Sequence, residues 1–282
     1  MSRKKRVVLT GACGVIASKT RPALAERYDL VLVDVRTTDP DGNHVDGVHH
    51  ADLLTRDRSA YRELFRGADA VVHSGFVRGT SREGEEPFWA EHDNVAMAYN
   101  VYQACSEESV PRVVVISSNH AADFYESLLL DGRLLSIGPD TVPYSYGFYG
   151  WAKIAYEALG FVFAVGRINN GRRLPNVHLR IGAPRETDIE RRGVGDRRGL
   201  RRDIGAYLSL HDEVQLIVKS IETENIDNEW GIPFQVFYGV SNNTGNFWSI
   251  ENARRVIGYE PEDDAMGRFA QHVARILGVG GA

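Results

Sequence analysis

Tyr149 and Lys153 stand four apart in Tyr149-Gly150-Trp151-Ala152-Lys153, so on a helix both side chains leave one face. A phenol with a pKa of about 10 is a poor base at neutral pH, and lowering it by about 3 units takes roughly 4 kcal/mol of differential stabilisation, which a nearby ammonium can supply. Upstream, Ser117-Ser118-Asn119-His120 follows the apolar run Arg112-Val-Val-Val-Ile116 and forms a polar cluster at the carboxyl end of a strand. Ligands of open α/β sheets bind at such ends. A serine hydroxyl beside the phenol can hold a reacting alcohol or carbonyl oxygen, so Ser118, Tyr149 and Lys153 together suit hydride transfer coupled to proton transfer. Alone, the Tyr-Lys pair reads more readily as an ordinary exposed helical turn. Its weight comes from the order of motifs around it.

The first of these is Thr10-Gly11-Ala12-Cys13-Gly14-Val15-Ile16-Ala17, between a β-branched run at Arg6–Thr10 and a helical pattern from about Ile16 to Arg27. Strand, glycine turn and helix in that order suit a dinucleotide pyrophosphate. Gly11 permits the turn, Gly14 lets the backbone approach the phosphates, and the helix start offers N–H groups to the anion. Cys13 reads as a small residue filling the turn, with a redox role the alternative. Asp34 ends the second strand, where a carboxylate accepts hydrogen bonds from ribose hydroxyls and repels a 2′-phosphate. NAD is expected over NADP, with Arg36 the residue able to reverse that preference. Asp52 is expected at the adenine amino group, and Leu53, Ser74 and Gly75 complete the expected cofactor contacts.

Positioning these residues requires strands at Leu30–Val33, Ala68–Val72 and Arg112–Ile116, with a long helical stretch from Glu91 to Ser106 and another from Tyr149 to Val165. Continuous apolar strands belong to parallel sheets covered on both faces. The expected class is α/β, a doubly wound parallel sheet of the Rossmann kind, with a small C-terminal substrate-binding lobe. Residues 1–180 are expected to form the NAD-binding domain and 181–282 mainly the lobe, with a strand near 234–240 free to rejoin the sheet. Ala121 to Tyr146, with Gly132, Gly138, Pro139 and Pro143, reads as loop. The Arg185–Asp203 segment is basic and reads as a lid over an acidic substrate or as solvated surface, with Arg201 or Arg202 reaching the pocket.

At 282 residues the chain can bury a full α/β core, and its net charge of -5 argues against nucleic acid as the main partner. Apolar runs have strand length, short of the roughly 20 residues a membrane span needs. Arg3-Lys4-Lys5-Arg6 precedes too short an apolar run for a signal sequence, so a cytoplasmic location is expected. Two cysteines, Cys13 and Cys105, make no disulfide framework, and no metal is expected. His211-Asp212 reads as a helix cap beside a packed or surface histidine.

These motifs resemble the extended short-chain dehydrogenases of the NAD-dependent epimerase/dehydratase superfamily, from about Arg6 to Ala265. Within it the chain is most similar to uronate dehydrogenases, on Ser117-Ser118-Asn119-His120, Tyr149-Gly150-Trp151-Ala152-Lys153, Arg180-Ile181-Gly182, Ser209-Leu210-His211-Asp212 and Tyr238-Gly239-Val240-Ser241-Asn242. The resemblance implies oxidation of a uronate-like acidic sugar at C1 to a lactone, with NAD as acceptor and Tyr149 as general base. It implies that Lys153 lowers the tyrosine pKa and binds ribose, that Ser118 positions the hydroxyl, and that Asn119 and His120 meet sugar hydroxyls. Arg202 matches the arginine that pairs with the substrate carboxylate, and Asn94 the asparagine of the long helix. Homo-oligomer formation through the long helices is also implied. The pattern departs at Arg78, where a small hydroxyl residue is usual, and at Ala183, where a serine is usual. Arg78 is thereby a candidate contact to an anion. The competing readings are a nucleotide-sugar epimerase or dehydratase that recycles NAD, and a non-catalytic NAD-binding regulator.

Overall fold

The computed structural model describes residues 3–78 and 86–279. In chain order the elements that build its frame are β1 (Arg6–Thr10), α1 (Val15–Arg27), β2 (Asp29–Asp34), β3 (Val48–His50), β4 (Ala70–His73), α2 (Pro87–Glu107), β5 (Val113–Ser118), α3 (Glu126–Leu130), α4 (Phe148–Val165), β6 (Asn176–Ile181), α5 (Thr187–Glu190), α6 (Arg197–Ala206), α7 (Leu210–Glu222), β7 (Phe234–Gly239) and α8 (Glu251–Ile257). All seven strands join one sheet in the order β3-β2-β1-β4-β5-β6-β7. Every pairing is parallel. The expected doubly wound sheet is therefore present.

Strand periodicity divides the core. Val7, Leu9, Val72, Val114, Ile116, Val177 and Leu179 pack with Leu24 of α1, Leu216 and Ile217 of α7 and Ile257 of α8. Val8, Val33, Val71, Val113 and Val115 face Met97 and Val101 of α2 and Ala152, Tyr156 and Phe163 of α4. Each such fully buried aliphatic side chain contributes about 1.5–3 kcal/mol. A third cluster, with Ile189, Leu200, Ile204, Tyr207 and Phe269, holds the basic segment together.

The chain reverses its direction of travel between β1 and β4, which are neighbours in the sheet. This is the switch point at which a crevice opens beyond the strand ends. β5 continues through Ser118, so the serine pair lies at the end of the strand itself. β7 pairs with β6 from Asn176↔Phe234 to Ile181↔Gly239. Three features differ from the expectations: β3 adds an edge strand, a 3-10 turn at Asn119–Tyr125 with α3 occupies the start of the expected loop, and α6 occupies the end of the basic segment.

Candidate active site

At the switch point Gly11 adopts φ +68°, and a β-carbon there would lie 2.6 Å from the Cα of Gly75. Only glycine suits both demands. Ser74 closes the same contact by donating its hydroxyl to the Thr10 carbonyl at 2.8 Å. Val15 and Ile16 open α1, whose N-cap, Gly14, makes no side-chain capping bond, so no side chain competes with an anion for the first N–H groups of the helix.

Asp34, only 8% exposed, accepts from the Cys13 N–H at 2.9 Å and the Arg36 N–H at 3.0 Å. These bonds lock the carboxylate beside the glycine turn. Arg36 turns back on the same turn, 3.8 Å from Asp34. The Ala51 N–H donates to the Asp34 carbonyl at 3.1 Å, which brings exposed Asp52 and buried Leu53 to this end of the crevice. Open helix N–H groups, a close glycine pair and a fixed strand-end carboxylate fit a dinucleotide.

The proton-transfer candidates gather on the other side. α4 packs so closely on the turn after β5 that a β-carbon at Gly150 would lie 2.1 Å from the His120 carbonyl oxygen. That approach puts Tyr149 near Ser118, whose hydroxyl favours the ionised phenol, and against the His120 ring, edge-on at 5.6 Å between centroids. Phe76 meets the other edge at 5.4 Å. Lys153 is buried and donates to the Ile116 carbonyl at 3.2 Å. Its ammonium lies 5.5 Å from the Tyr149 ring centroid and 4.7 Å from that of Tyr156.

Burial pushes the Tyr149 phenol above its ordinary pKa; the Ser118 bond and Arg185 pull it down, and Glu91 pushes it up. In the protein alone the phenol pKa is thus raised, where the resemblance implies that Lys153 lowers it. Burial also lowers the Lys153 pKa to about 8, against the opposing fields of Glu91 and Glu157. His73, tied to the Thr10 hydroxyl at 2.7 Å, is held neutral by burial, with a pKa lowered to about 3.

Sequence reasoning missed Glu157, the group that ties this face together. Glu157 continues the Tyr149–Lys153 stripe by four residues. It takes both the Nε and Nη2 of buried Arg180, at 2.9 and 2.7 Å, and the Ser117 hydroxyl at 3.0 Å. Arg180 also donates to the Tyr238 hydroxyl at 3.1 Å. The available signal was the i, i+4 spacing from Lys153. Asn94 clamps the backbone N–H and carbonyl of Val77 at 2.7 and 2.8 Å and donates to Glu91. It therefore fixes the loop carrying Phe76.

An open cleft of about 430 Å³ reaches the site at His120, whose ring meets that of Tyr149, and is lined also by Asp123, Glu126, Tyr146 and Arg202 but not by Tyr149 itself. Asn119 is buried beside it, its amide oxygen 3.4 Å from the Ser118 hydroxyl. Arg202 reaches the cleft with its Nε on Glu126 at 2.6 Å. Arg201 instead donates to the Leu130 carbonyl. Arg78 is exposed on the loop after Phe76 and is not among the lining residues. Ser209, rather than Asp212, caps α7. Asp212 is buried and accepts from Ser241, Glu262 and Asp263. His211, Asp212 and Asp263 bring ligand-type atoms within 4.8 Å of one another, but those bonds make the group a hydrogen-bond junction. No helix among the described residues is long and apolar enough to cross a membrane.

Fold and site together define an NAD-dependent enzyme of the extended short-chain dehydrogenase type. Residues 7–160 match the NAD dependent epimerase/dehydratase family, and the chain belongs to that family. It is 27% identical to L-arabinose 1-dehydrogenase (NAD(P)(+)) of Haloferax volcanii, over 92% of this chain and 97% of that one. It is 28% identical to uronate dehydrogenase of Pseudomonas putida, over 92% and 85% of the two chains. A solved mutant of Agrobacterium tumefaciens uronate dehydrogenase, complexed with NAD, is similar with a TM-score of 0.71 and 25% identity, over 97% of this chain and 90% of that one.

Proposed function

We propose that the protein oxidises a free sugar at its anomeric carbon to a lactone, with Tyr149 as the general base and NAD as the acceptor. The observation that carries this reading is the convergence of Ser118, Tyr149 and Lys153 on the crevice beside the glycine turn. Gly11, Gly14 and Asp34 would hold the NAD, which would supply the hydride acceptor. Ser118 holds the C1 hydroxyl against Tyr149, whose phenolate oxygen, formed once the phenol has given its own proton to solvent, takes the hydroxyl proton as hydride leaves C1. Lys153 keeps a cation under the phenol, and the Phe76 and Tyr156 rings shield that cation from water. His120, tethered through Nδ1 to Asp123 at 3.0 Å, and Asn119 meet the sugar's other hydroxyls. Gly11, Gly14 and the α1 N-terminus take the pyrophosphate, and Asp34 the adenosine ribose.

The uronate dehydrogenase relatives support an acidic sugar, and the L-arabinose 1-dehydrogenase relative a neutral one. A nucleotide-sugar epimerase would recycle its NAD and release no NADH. The test is NADH absorbance after mixing the protein and NAD with uronates, neutral aldoses and nucleotide sugars. Net NADH from a free sugar, lost by about 10²–10⁴ in Tyr149→Phe, supports the reading. Product from a nucleotide sugar without net NADH refutes it.

A further inference from the structure

A substrate carboxylate is anchored by a guanidinium that can turn an open fork toward it. The cleft beside His120 is lined by three arginines, Arg192, Arg198 and Arg202. Arg202 gives its Nε to Glu126 at 2.6 Å and its Nη1 to Asp203 at 3.4 Å. Arg192 grips both oxygens of Asp203, at 2.6 and 3.0 Å, and gives Nη1 to Asp196 at 3.0 Å. Arg198 pairs with Asp131. Arg185, whose field reaches the phenol, pairs with Asp188 at 3.1 Å.

Each lining arginine is thus already matched by carboxylates of the chain, and Asp123, Glu126 and Asp196 line the same space. An incoming carboxylate would have to expel Glu126 from Arg202 and then sit among these acidic groups, whereas neutral sugar hydroxyls can donate to them. We infer that Glu126 is a specificity residue, which occupies Arg202 and makes the cleft select a neutral aldose over a uronate. This inference rests on the sugar-dehydrogenase reading and narrows its substrate class.

The test compares kcat/KM for L-arabinose and D-galactose with that for D-galacturonate and D-glucuronate, in the wild type, Glu126→Gln and Glu126→Asp. The wild type should favour the neutral sugars by about tenfold or more, and Glu126→Gln should raise uronate kcat/KM by about tenfold and so narrow or reverse that preference. Glu126→Asp, which keeps the charge, should stay near wild type. A wild-type preference for uronates, or uronate values unmoved by Glu126→Gln, overturns the inference. If no sugar yields NADH, the dehydrogenase reading fails on its own. The inference is then decided by calorimetry of galacturonate on the protein–NADH complex: tighter binding to Glu126→Gln upholds it, and unchanged or undetectable binding overturns it.

Discussion

Glu213, in the first turn of α7, has a fully buried side chain, and neither carboxylate oxygen has a hydrogen-bond partner. Burial raises its pKa from 4.5 to about 8, with Lys19 pulling weakly the other way. A carboxyl whose folded pKa is raised gives its full stability below the unfolded pKa and loses it as pH rises through the folded one. The penalty window therefore runs from about 4.5 to about 8. At pH 7 the folded protein keeps the proton while the unfolded chain releases it, a cost of about 2.5 pH units at about 1.36 kcal/mol each, or about 3 kcal/mol. Glu213→Gln copies the shape of the protonated acid without this linkage. Urea unfolding at pH 5 and pH 7 should show the variant little changed at pH 5 and about 3 kcal/mol more stable than wild type at pH 7. A difference that is the same at both pH values, or a variant less stable at pH 7, would refute the reasoning.

Removing Glu157 strands the buried Arg180 charge, so Glu157→Ala should cost about 3–5 kcal/mol in urea unfolding, and Glu157→Met with Arg180→Met should recover most of it. A single variant that loses under about 1 kcal/mol would show that the pair does not hold α4 to β6. Asp34→Ala should weaken NAD binding by about tenfold in calorimetry and narrow the gap to NADP; an unchanged preference removes Asp34 from cofactor selection. Lys153 loses its charge as pH rises through about 8, so turnover should lose the ammonium's support across that range. Lys153→Arg should move that limb of the pH–rate profile upward, and a limb that stays in place would assign it to another group.

Much of the frame was legible because its signals are local. The apolar runs of β1, β2, β4, β5 and β6 and the glycine turn need no tertiary context to be read, and Tyr149 with Lys153 shows its common face through spacing alone. β3 was not legible: its three residues are half-buried or exposed and pair with β2 through backbone alone. α6 hid among arginines although Leu200 and Ile204 mark a buried face at i, i+4. The electrostatics of the site were least legible. Glu126 meets Arg202 across 76 positions, and Glu157 meets Arg180 across 23, so folding alone creates those pairs. The Tyr149 pKa shows the same limit, since the motif foretells a nearby cation but not the desolvation that raises the phenol.

The most direct test of the Tyr149 account uses an aldose carrying deuterium at C1, with the mass of the reduced cofactor and the rate measured for wild type and Tyr149→Phe. Deuterium should appear in the reduced cofactor, and the variant should bind NAD normally yet run about 10³-fold slower. Unlabelled NADH would contradict hydride transfer from C1, and a variant keeping more than about a tenth of the wild-type rate would contradict Tyr149 as the base for the C1 hydroxyl proton.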